Sequence, residues 1–190
     1  MNNKYIFKSQ RLGFRNWQDS DTEKLFALNS DEEVMEFFPY LPSLEQTKLL
    51  IEKMTNQFEK HGFCYFAVDE LETEEFIGFI GIAEQNFEAD FTPCVDIGWR
   101  LAKKYWYKGY ASEGAKRCLE FAFNDLDENK KLESIKAVAP KINLKSRKVM
   151  EKIGMKYVKD FRHPALENDP ELEICVLYEI NRGDFQNLNL

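Results

Sequence analysis

A short loop between two regularly patterned segments carries residues suited to binding an anion. Before the loop, alternate positions of Val95–Leu101 are apolar, as in a strand. After it, apolar or small residues recur at helical spacing from Ala111 to Phe123. Gly109 lies just before the helix, where the backbone can approach a ligand and the first helical N–H groups have no internal partner. On spacing alone, one Gly between a strand and a helix more often makes a simple turn, and a phosphate site is the alternative.

The distribution of charge bears on the same question. The chain has 33 Asp and Glu against 26 Lys and Arg, a net charge of −7, which argues against non-specific nucleic-acid binding. Residues 100–152 nevertheless contain 14 Lys and Arg against 7 Asp and Glu. We interpret this basic central third as a place for a small polyanion, with acidic surface elsewhere to attract a cationic partner. Solvated helix faces explain the pattern equally well.

The elements that must position this loop follow from hydrophobic periodicity and capping signals. Strands are predicted at Arg11–Arg15, Cys64–Asp69, Phe76–Ala83, Val95–Leu101, Ser134–Ala139, Met155–Phe161 and Glu173–Ile180. Helices are predicted after Asp19–Asp21, over Asp31–Phe37, from Ser43 to Gly62, after Gly109, and from Asn143 to Gly154. The predicted fold is a mixed α/β sheet of about seven strands with helices on its faces, in one domain over residues 1–190.

Composition excludes several classes of protein. No apolar run reaches the roughly 18 residues of a membrane span, and the N-terminus lacks the apolar core of a signal peptide. The four cysteines are scattered without a CxxC pair, and the two histidines are far apart, so no metal site is expected. We expect reduced cysteines and a cytoplasmic protein.

Two local patterns resemble the GNAT superfamily of N-acetyltransferases, in particular the branch that acetylates ribosomal-protein N-termini. The first is Asp96–Trp99 (DIGW) followed by Tyr105–Glu113 (YWYKGYASE). The second is Asn143–Met155 (NLKSRKVMEKIGM). The resemblance runs from Arg11 to Tyr178 and is sharpest over Cys94–Met155. Because both patterns occur in the right order and at the right spacing, together they are a specific signal.

The resemblance implies acetyl-CoA as co-substrate and a splay between the two central parallel strands. The pyrophosphate would lie on the N–H groups at the start of the helix after Gly109. The pantetheine arm would pair with Trp99–Leu101, whose N–H groups could polarise the thioester carbonyl. The residues implied for cofactor binding are Trp99, Arg100, Leu101, Lys108, Gly109, Tyr110, Ala111, Ser112, Asn143 and Ser146.

Two residues of the second pattern have catalytic roles by the same resemblance. Asn143 resembles the family's contact to pantetheine, and Ser146, one helical turn on, would protonate the leaving thiolate. A plain helix N-cap is the alternative for Asn143, and an ordinary helical position for Ser146. The sequence departs from the branch at Tyr107, where Gly is common. Since Tyr resists positive φ, the loop must differ in shape or bear strain.

The general base is the least defined role. An acceptor amine is protonated at neutral pH and must lose a proton before attack, which a carboxylate or a water that it orients could accept. Asp96 lies on the opposite strand face from Trp99, and its alternative is an ion pair with Arg100. Glu84 ends the preceding strand near the expected acceptor cleft, and its alternative is a solvated carboxylate. His163 is a further candidate to line the acceptor site.

The resemblance implies acetyl transfer to a primary amine, and we expect the transfer to be direct because no Cys or Ser occurs in a recognisable nucleophile–base setting. The acceptor could be a protein α-amine or a small amine; acidic residues in the expected acceptor loops favour a basic peptide N-terminus or a polyamine. A non-catalytic acyl-CoA-binding or sensing module is the alternative. A nucleotide-binding protein fits worse, since no Walker or GxGxxG pattern is present. The oligomeric state stays open, with a homodimer among the alternatives.

Overall fold

One mixed sheet organises the residues that the structure, a computed structural model, describes: 4–126 and 132–188. Its strands are β1 (Phe7–Lys8), β2 (Leu12–Arg15), β3 (Tyr65–Glu70), β4 (Phe76–Gln85), β5 (Cys94–Leu101), β6 (Ser134–Pro140), β7 (Lys156–Arg162) and β8 (Ile174–Asn181). Their spatial order is β1-β2-β3-β4-β5-β6-β8-β7. Among these eight strands, β5 and β6 pair in parallel and all other neighbours are antiparallel.

Five α-helices accompany the sheet in the described parts of the chain. They are α1 (Asp21–Asn29), α2 (Leu44–His61), α3 (Tyr110–Glu120), α4 (Leu144–Lys152) and α5 (Arg182–Asn187). Helix α2 begins with a capping box at the predicted start, Ser43: Ser43 Oγ accepts from the backbone N–H of Gln46, and the Gln46 side chain accepts from the N–H of Ser43. The predicted mixed α/β fold is confirmed, with one strand more than expected.

The two central parallel strands splay apart, as the resemblance implied. Strands β4 and β5 are paired along their length, from Gly78 with Leu101 to Gln85 with Cys94. Strands β5 and β6 are paired only at Asp96 and Lys136. A wedge therefore opens between β5 and β6 towards their carboxyl ends, and it leaves one edge of β5 without a strand partner.

The central strands present two different faces. Ile80 and its cross-strand neighbour Trp99 lie on the side covered by α3, where Gly114 packs against Ile80; we call this the α3 face. Phe79 and its neighbour Arg100 lie on the opposite side, where Arg100 contacts Asn29 of α1; we call this the α1 face. The alternation of side chains along β5 thus assigns neighbouring residues to different compartments.

The predicted helix over Asp31–Phe37 is wrong, because this segment forms a series of turns. The Asp31 carboxylate accepts hydrogen bonds from the N–H groups of Glu33 and Val34 at 3.0 and 3.4 Å, as at a helix start, but the pattern does not continue and Pro39 follows. Strand β1 and helix α5 were not predicted either. Two and six residues, respectively, are too few to show a hydrophobic period.

A buried ionic cluster joins the first half of the fold. Arg15 of β2 donates to Asp21 at the start of α1 at 2.6 and 2.9 Å, and to Asp69 of β3 at 2.9 Å. All three side chains are almost fully buried. The N-cap residue of α1, Ser20, makes no side-chain hydrogen bond to the helix. The start of α1 is therefore fixed against the sheet by the guanidinium of Arg15.

The structure bears on two expectations from the sequence, the state of the cysteines and the presence of a membrane-spanning helix. The cysteines at positions 64, 94, 118 and 175 are all free. None of the helices in residues 4–126 and 132–188 is both long and apolar enough to cross a membrane.

Candidate active site

A cleft of about 500 Å³ opens where β5 and β6 diverge. Strand β5, the loop before α3, the first turns of α3 and α4, and residues 33–38 all contribute to its walls. The residues predicted to bind the cofactor that line it are Trp99, Arg100, Leu101, Gly109, Tyr110, Ala111, Ser112, Asn143 and Ser146. Lys108 is not among the lining residues; it is exposed, and its carbonyl accepts from Arg11 Nη1 at 3.0 Å.

The start of α3 presents its backbone to this cleft. Gly109 is the N-cap with φ of +83°, and it contributes no side-chain hydrogen bond to the helix. Tyr107 adopts φ of +60° and is 91% exposed, so the loop keeps a left-handed residue there and bears the backbone strain that the sequence suggested. The first N–H groups of α3 thus face a position where an anion can lie.

Glu113 in the first turn of α3 anchors this helix to the beginning of the chain. Its carboxylate accepts from Ser9 Oγ at 2.7 Å and from the backbone N–H of Arg11 at 2.8 Å, and it pairs with the Arg11 guanidinium at 2.6 Å. Burial opposes the ionisation of Glu113, but these hydrogen bonds outweigh it and lower the pKa of the carboxyl. Glu113 therefore has a structural role.

Helix α4 brings together the second group of predicted residues. Asn143 Oδ1 accepts from the backbone N–H of Ser146 at 3.0 Å, so the N-cap alternative is present in the structure. The cap uses only the amide oxygen, and the NH₂ group of Asn143 can still donate to a ligand in the cleft. Both roles are compatible.

Three lysines of α4 also line the cleft and were not predicted individually. Lys145, Lys148 and Lys152 recur at helical spacing along the helix. The signal that could have identified them is the excess of positive charge over residues 100–152. Cations facing the uncapped start of α3 are what a bound polyphosphate requires.

The free edge of β5 is shorter than the sequence implied. The indole N–H of Trp106 donates to the carbonyl oxygen of Leu101 at 2.7 Å. That carbonyl is therefore already bonded, which leaves Trp99 and Arg100 as the better positions for strand-like pairing with a ligand. Both residues are partly accessible.

Asp96 lies on the α1 face at the closed end of the splay, outside the residues that line the cleft. Its Oδ1 accepts from the hydroxyl of Tyr65 at 2.5 Å and from Nε2 of Gln85 at 3.1 Å. Burial raises the pKa of this carboxyl to about 6, although both hydrogen bonds act in the opposite direction. A base with such a pKa is half ionised just below neutral pH.

The suggested ion pair between Asp96 and Arg100 is wrong. Four residues along a strand span roughly 13 Å, which is too far for such a pair. Arg100 Nη1 instead donates to Asn29 Oδ1 at 2.7 Å.

Glu84 and His163 lie outside the cleft. Glu84 is partly exposed and its Oε2 lies 3.2 Å from His61 Nε2. His163 packs against Phe87 with ring centroids 4.5 Å apart, and its Nδ1 accepts from the N–H of Ala165 at 3.2 Å. Burial lowers the pKa of this imidazole. His163 is thus part of an aromatic cluster under the β4–β5 loop, on the α1 face with Phe91 and Phe161.

The wall formed by residues 33–38 was missed because these residues were assigned to a helix. Glu33, Val34, Phe37 and Phe38 all line the cleft. Lys103 bonds Glu33, and Lys145 lies 3.3 Å from Glu36, so both ends of this wall are tied to elements of the cleft. No local pattern could have revealed these contacts, which join residues 70 and 109 positions apart.

The chain is similar in sequence and in structure to known acetyltransferases. The family model for the acetyltransferase (GNAT) domain matches residues 11–156. The uncharacterised protein YkkB of Bacillus subtilis (strain 168) is 31% identical over 85% of this chain and 91% of its own. A GNAT-family acetyltransferase from Bacillus anthracis has a similar structure, with a TM-score of 0.74 and 28% identity over 93% of this chain and 98% of that one.

A more distant structure has the same fold. Spermidine N-acetyltransferase from Vibrio cholerae, solved with CoA and spermine, has a TM-score of 0.69 at 18% identity, over 93% of this chain and 99% of that one. The splayed mixed sheet with a cleft at its parallel strands, together with the match to the family model, defines the class of protein as an acyltransferase. The chain belongs to the GNAT acetyltransferase family and is an N-acetyltransferase.

Proposed function

We propose that the chain, as one domain over residues 1–190, transfers an acetyl group from acetyl-CoA directly to a primary amine. The observation that carries this proposal is the cleft at the β5–β6 splay, which meets both the uncapped start of α3 and the lysines of α4. The four free cysteines fit a reducing compartment, so we place the enzyme in the cytoplasm.

The residues present fit the phosphates of CoA. A Cβ atom added to Gly109 would meet only Arg11 Nη2, at 3.5 Å, so the space in front of this backbone is open. The N–H groups of Tyr110, Ala111 and Ser112 would hold the pyrophosphate there. Lys148 and Lys152 would contribute positive charge from α4, and the NH₂ group of Asn143 would donate to a carbonyl of the pantetheine arm.

The chemistry then needs a base on one side of the splay and an acid on the other. When bound, acetyl-CoA supplies the acetyl group as a thioester. We assign Asp96 as the base that accepts a proton from the acceptor ammonium, directly or through water, since it lies on the α1 face with a raised pKa. Glu84 is the weaker candidate because His61 engages it. Ser146, which lines the cleft, would donate a proton to the leaving thiolate.

Two classes of amine acceptor, a protein α-amine and a polyamine, fit the proposed reaction. A protein α-amine, as in the branch that acetylates ribosomal proteins, and a polyamine, as the Vibrio cholerae enzyme's name suggests for that protein, are both consistent with the fold. The loops expected to frame the acceptor carry Glu84, Glu88, Asp90, Glu167, Asp169 and Glu171. Lys159 pairs with Asp90 and His61 with Glu84, so four of these six carboxylates are left to attract a cation.

Binding of the cofactor can be tested at Gly109. Acetyl-CoA should raise the melting temperature of the wild-type protein, as any ligand specific for the native state does. Gly109→Val should abolish this rise, because a β-branched residue strongly disfavours φ of +83° and would deform the start of α3. Gly183→Val is the matched control, since Gly183 has open space and an ordinary φ in α5.

Two outcomes would contradict the proposal in different ways. An unchanged affinity for acetyl-CoA in a folded Gly109→Val protein would exclude the start of α3 from the site. Tight binding of acetyl-CoA by the wild type, without turnover of any amine in a broad panel, would support the alternative of an acyl-CoA-binding or sensing module.

A further inference from the structure

Arg100 is a partly buried cation in the cleft whose charge no carboxylate of the described residues balances within ion-pair distance. Its Nη1 donates to the neutral amide of Asn29 at 2.7 Å, and its Nε is buried without a hydrogen-bond partner among those residues. Arg15, which is almost fully buried, pairs with the carboxylates of both Asp21 and Asp69. Charges removed from water are normally paired, so the guanidinium of Arg100, with its buried and unpaired Nε, requires an explanation.

The carboxylates nearest to the cleft do not supply the missing charge. Glu33 lines the same cleft but bonds to Lys103. Within residues 4–126 and 132–188, the polar side chain bonded to the guanidinium is Asn29, which is itself fixed by Thr47, whose Oγ1 lies 3.4 Å from its Nδ2. Burial lowers the pKa of Arg100 to about 10, so the side chain still carries its charge at neutral pH.

Two aromatic rings pack near the guanidinium of Arg100, so a ligand would reach the N–H groups at its edge. The rings of Phe38 and Phe79 lie 4.0 and 5.3 Å from its central carbon. Aromatic contacts stabilise the faces of a guanidinium and leave the N–H groups at its edge for hydrogen bonds. A planar fork of N–H donors matches a carboxylate, which can accept two parallel bonds.

The position of Arg100 separates it from the phosphate site. Its side chain lies on the α1 face with Phe79, whereas the neighbouring Trp99 lies on the α3 face. In the proposed function, the start of α3 and the lysines of α4 hold the phosphates of CoA. Arg100 instead shares its face of β5 with Asp96, the proposed base, and therefore lies on the side from which the amine must come.

We infer that Arg100 binds a carboxylate of the acceptor, so that the substrates are amines that also carry a carboxylate. This inference rests on the proposed acetyl transfer and narrows its acceptor class. It favours a free amino acid, or a peptide that begins with Asp or Glu, and it disfavours polyamines, which have no anionic group. The acidic loops around the site would still attract the ammonium of such an acceptor.

The experiment compares matched acceptors by kcat/KM. Each L-amino acid is measured against its carboxamide, and peptides with N-terminal Asp or Glu are measured against those with Asn or Gln. The two sets distinguish a main-chain carboxylate from a side-chain carboxylate. We expect the carboxylate member of one set to be preferred by roughly 10- to 100-fold, the size of a hydrogen-bonded ionic contact.

Three variants assign that preference to Arg100. In Arg100→Gln, which keeps a donor for Asn29, the ratio should fall towards one. Arg100→Lys should be intermediate, because an ammonium lacks the planar fork. Lys48→Gln removes the same charge from an exposed position on α2 and should leave the ratio unchanged. Circular dichroism verifies the fold, and if the Gln variant does not fold, the Lys variant decides.

The inference fails if the wild type uses both members of every pair equally, or if Arg100→Gln lowers both members by the same factor. The second result would mean that Arg100 acts on the acetyl group or on the structure. If no amine is acetylated, the proposed function fails instead. In that case the same carboxylate and carboxamide pairs are tested for their effect on the melting temperature of the CoA-saturated protein. A shift confined to carboxylates and lost in Arg100→Gln would support the anion site; no shift would overturn it.

Discussion

At the scale of single residues, the chemistry depends on how the fold holds one carboxyl group. Tyr65 and Gln85 both donate to Asp96 Oδ1, and Gln85 also donates to the Tyr65 hydroxyl at 3.0 Å. Burial destabilises the ionised form, while these donors stabilise it, and burial dominates. The net result is a carboxyl group that changes its charge close to neutral pH and is fixed in orientation.

The first residue-scale prediction follows from that pKa. The kcat/KM of the wild type should rise with pH through about 6 as Asp96 ionises, and Asp96→Asn should lose this limb together with roughly 10²- to 10⁴-fold in rate. A pH–rate profile of both proteins is the measurement. An unchanged profile in Asp96→Asn would assign the base elsewhere, with Glu84 as the next residue to test.

Stability gives an independent check on the same group. A carboxyl whose pKa is raised from 3.8 to about 6 by folding favours the native state below pH 4, and this contribution disappears as pH rises through 6. Asp96→Asn has no such titration. The stability of the variant minus that of the wild type should therefore be larger above pH 6 than at pH 4, by about 1–3 kcal/mol. Denaturant unfolding at both pH values measures this change.

The second residue-scale prediction concerns Ser146. Ser146→Ala should lower kcat by about 10-fold or more and change the KM for acetyl-CoA little, because an acid acts mainly in the transition state. The cap of α4 uses the backbone N–H of Ser146, so the variant keeps it. Ser43→Ala is the contrasting control: it removes the α2 cap and should cost about 1 kcal/mol of stability with wild-type kcat. Wild-type turnover in Ser146→Ala would refute the acid role.

At the scale of elements, the site depends on how α1 is attached to the sheet. Asn29 at the end of α1 positions Arg100. The start of α1 is fixed by Asp21, which Arg15 links to Asp69 of β3. The pKa of Asp69 is lowered because hydrogen bonds from Arg15 and Lys4 outweigh the effect of burial. A buried cation shared by two carboxylates thus holds one end of a helix whose other end reaches the cleft.

Removing that cation should be costly. Arg15→Met removes the cation that pairs with Asp21 and leaves Asp69 with Lys4 alone, and we expect a loss of about 3–5 kcal/mol in urea unfolding. The loss should shrink as pH falls, because the lowered pKa of Asp69 means that its pairing with Arg15 stabilises the fold only while this carboxyl is ionised. Arg162→Met breaks the exposed pair with Glu173 and should cost less than about 1 kcal/mol. Equal losses in the two variants would show that the buried cluster contributes no more than a surface pair.

At the scale of the whole molecule, a basic cleft lies within an acidic protein. The net charge is −7, although residues 100–152 carry twice as many Lys and Arg as Asp and Glu. The lysines of α4 place part of this positive charge at the cleft, and the carboxylates of the acceptor loops lie outside it. The two substrates would therefore meet surfaces of opposite charge.

The corresponding prediction is a salt dependence that differs between acceptors. Among acceptors that share a carboxylate, one with a cationic side chain should have a higher kcat/KM than a neutral one at low salt, and the advantage should fall as salt screens the acidic loops. The double variant Glu88→Gln, Glu167→Gln should reduce this advantage. Glu120→Gln on α3 is the control. Equal rates at every ionic strength would show that the acidic loops do not select the acceptor.

The sequence by itself determined the features that neighbouring residues control. Alternation of apolar residues identified β5, a capping pattern identified α2, and Gly109 marked the start of α3. Asn143 marked the start of α4. These assignments depend on backbone preferences and on side chains three or four positions apart, so a local pattern is sufficient. The mixed sheet and the family resemblance follow from the order of such elements.

Only the tertiary structure decided what faces each candidate group. Asp96 meets Tyr65 and Gln85, and Arg100 meets Asn29, 71 positions away in sequence, rather than Asp96. Residues 33–38 form a wall of the cleft rather than the expected helix, and ion pairs to Lys103 and Lys145 tie them to elements of the cleft. Burial, unpaired charge and pKa depend on groups that the chain brings together from distant positions, and no spacing in the sequence records those distances.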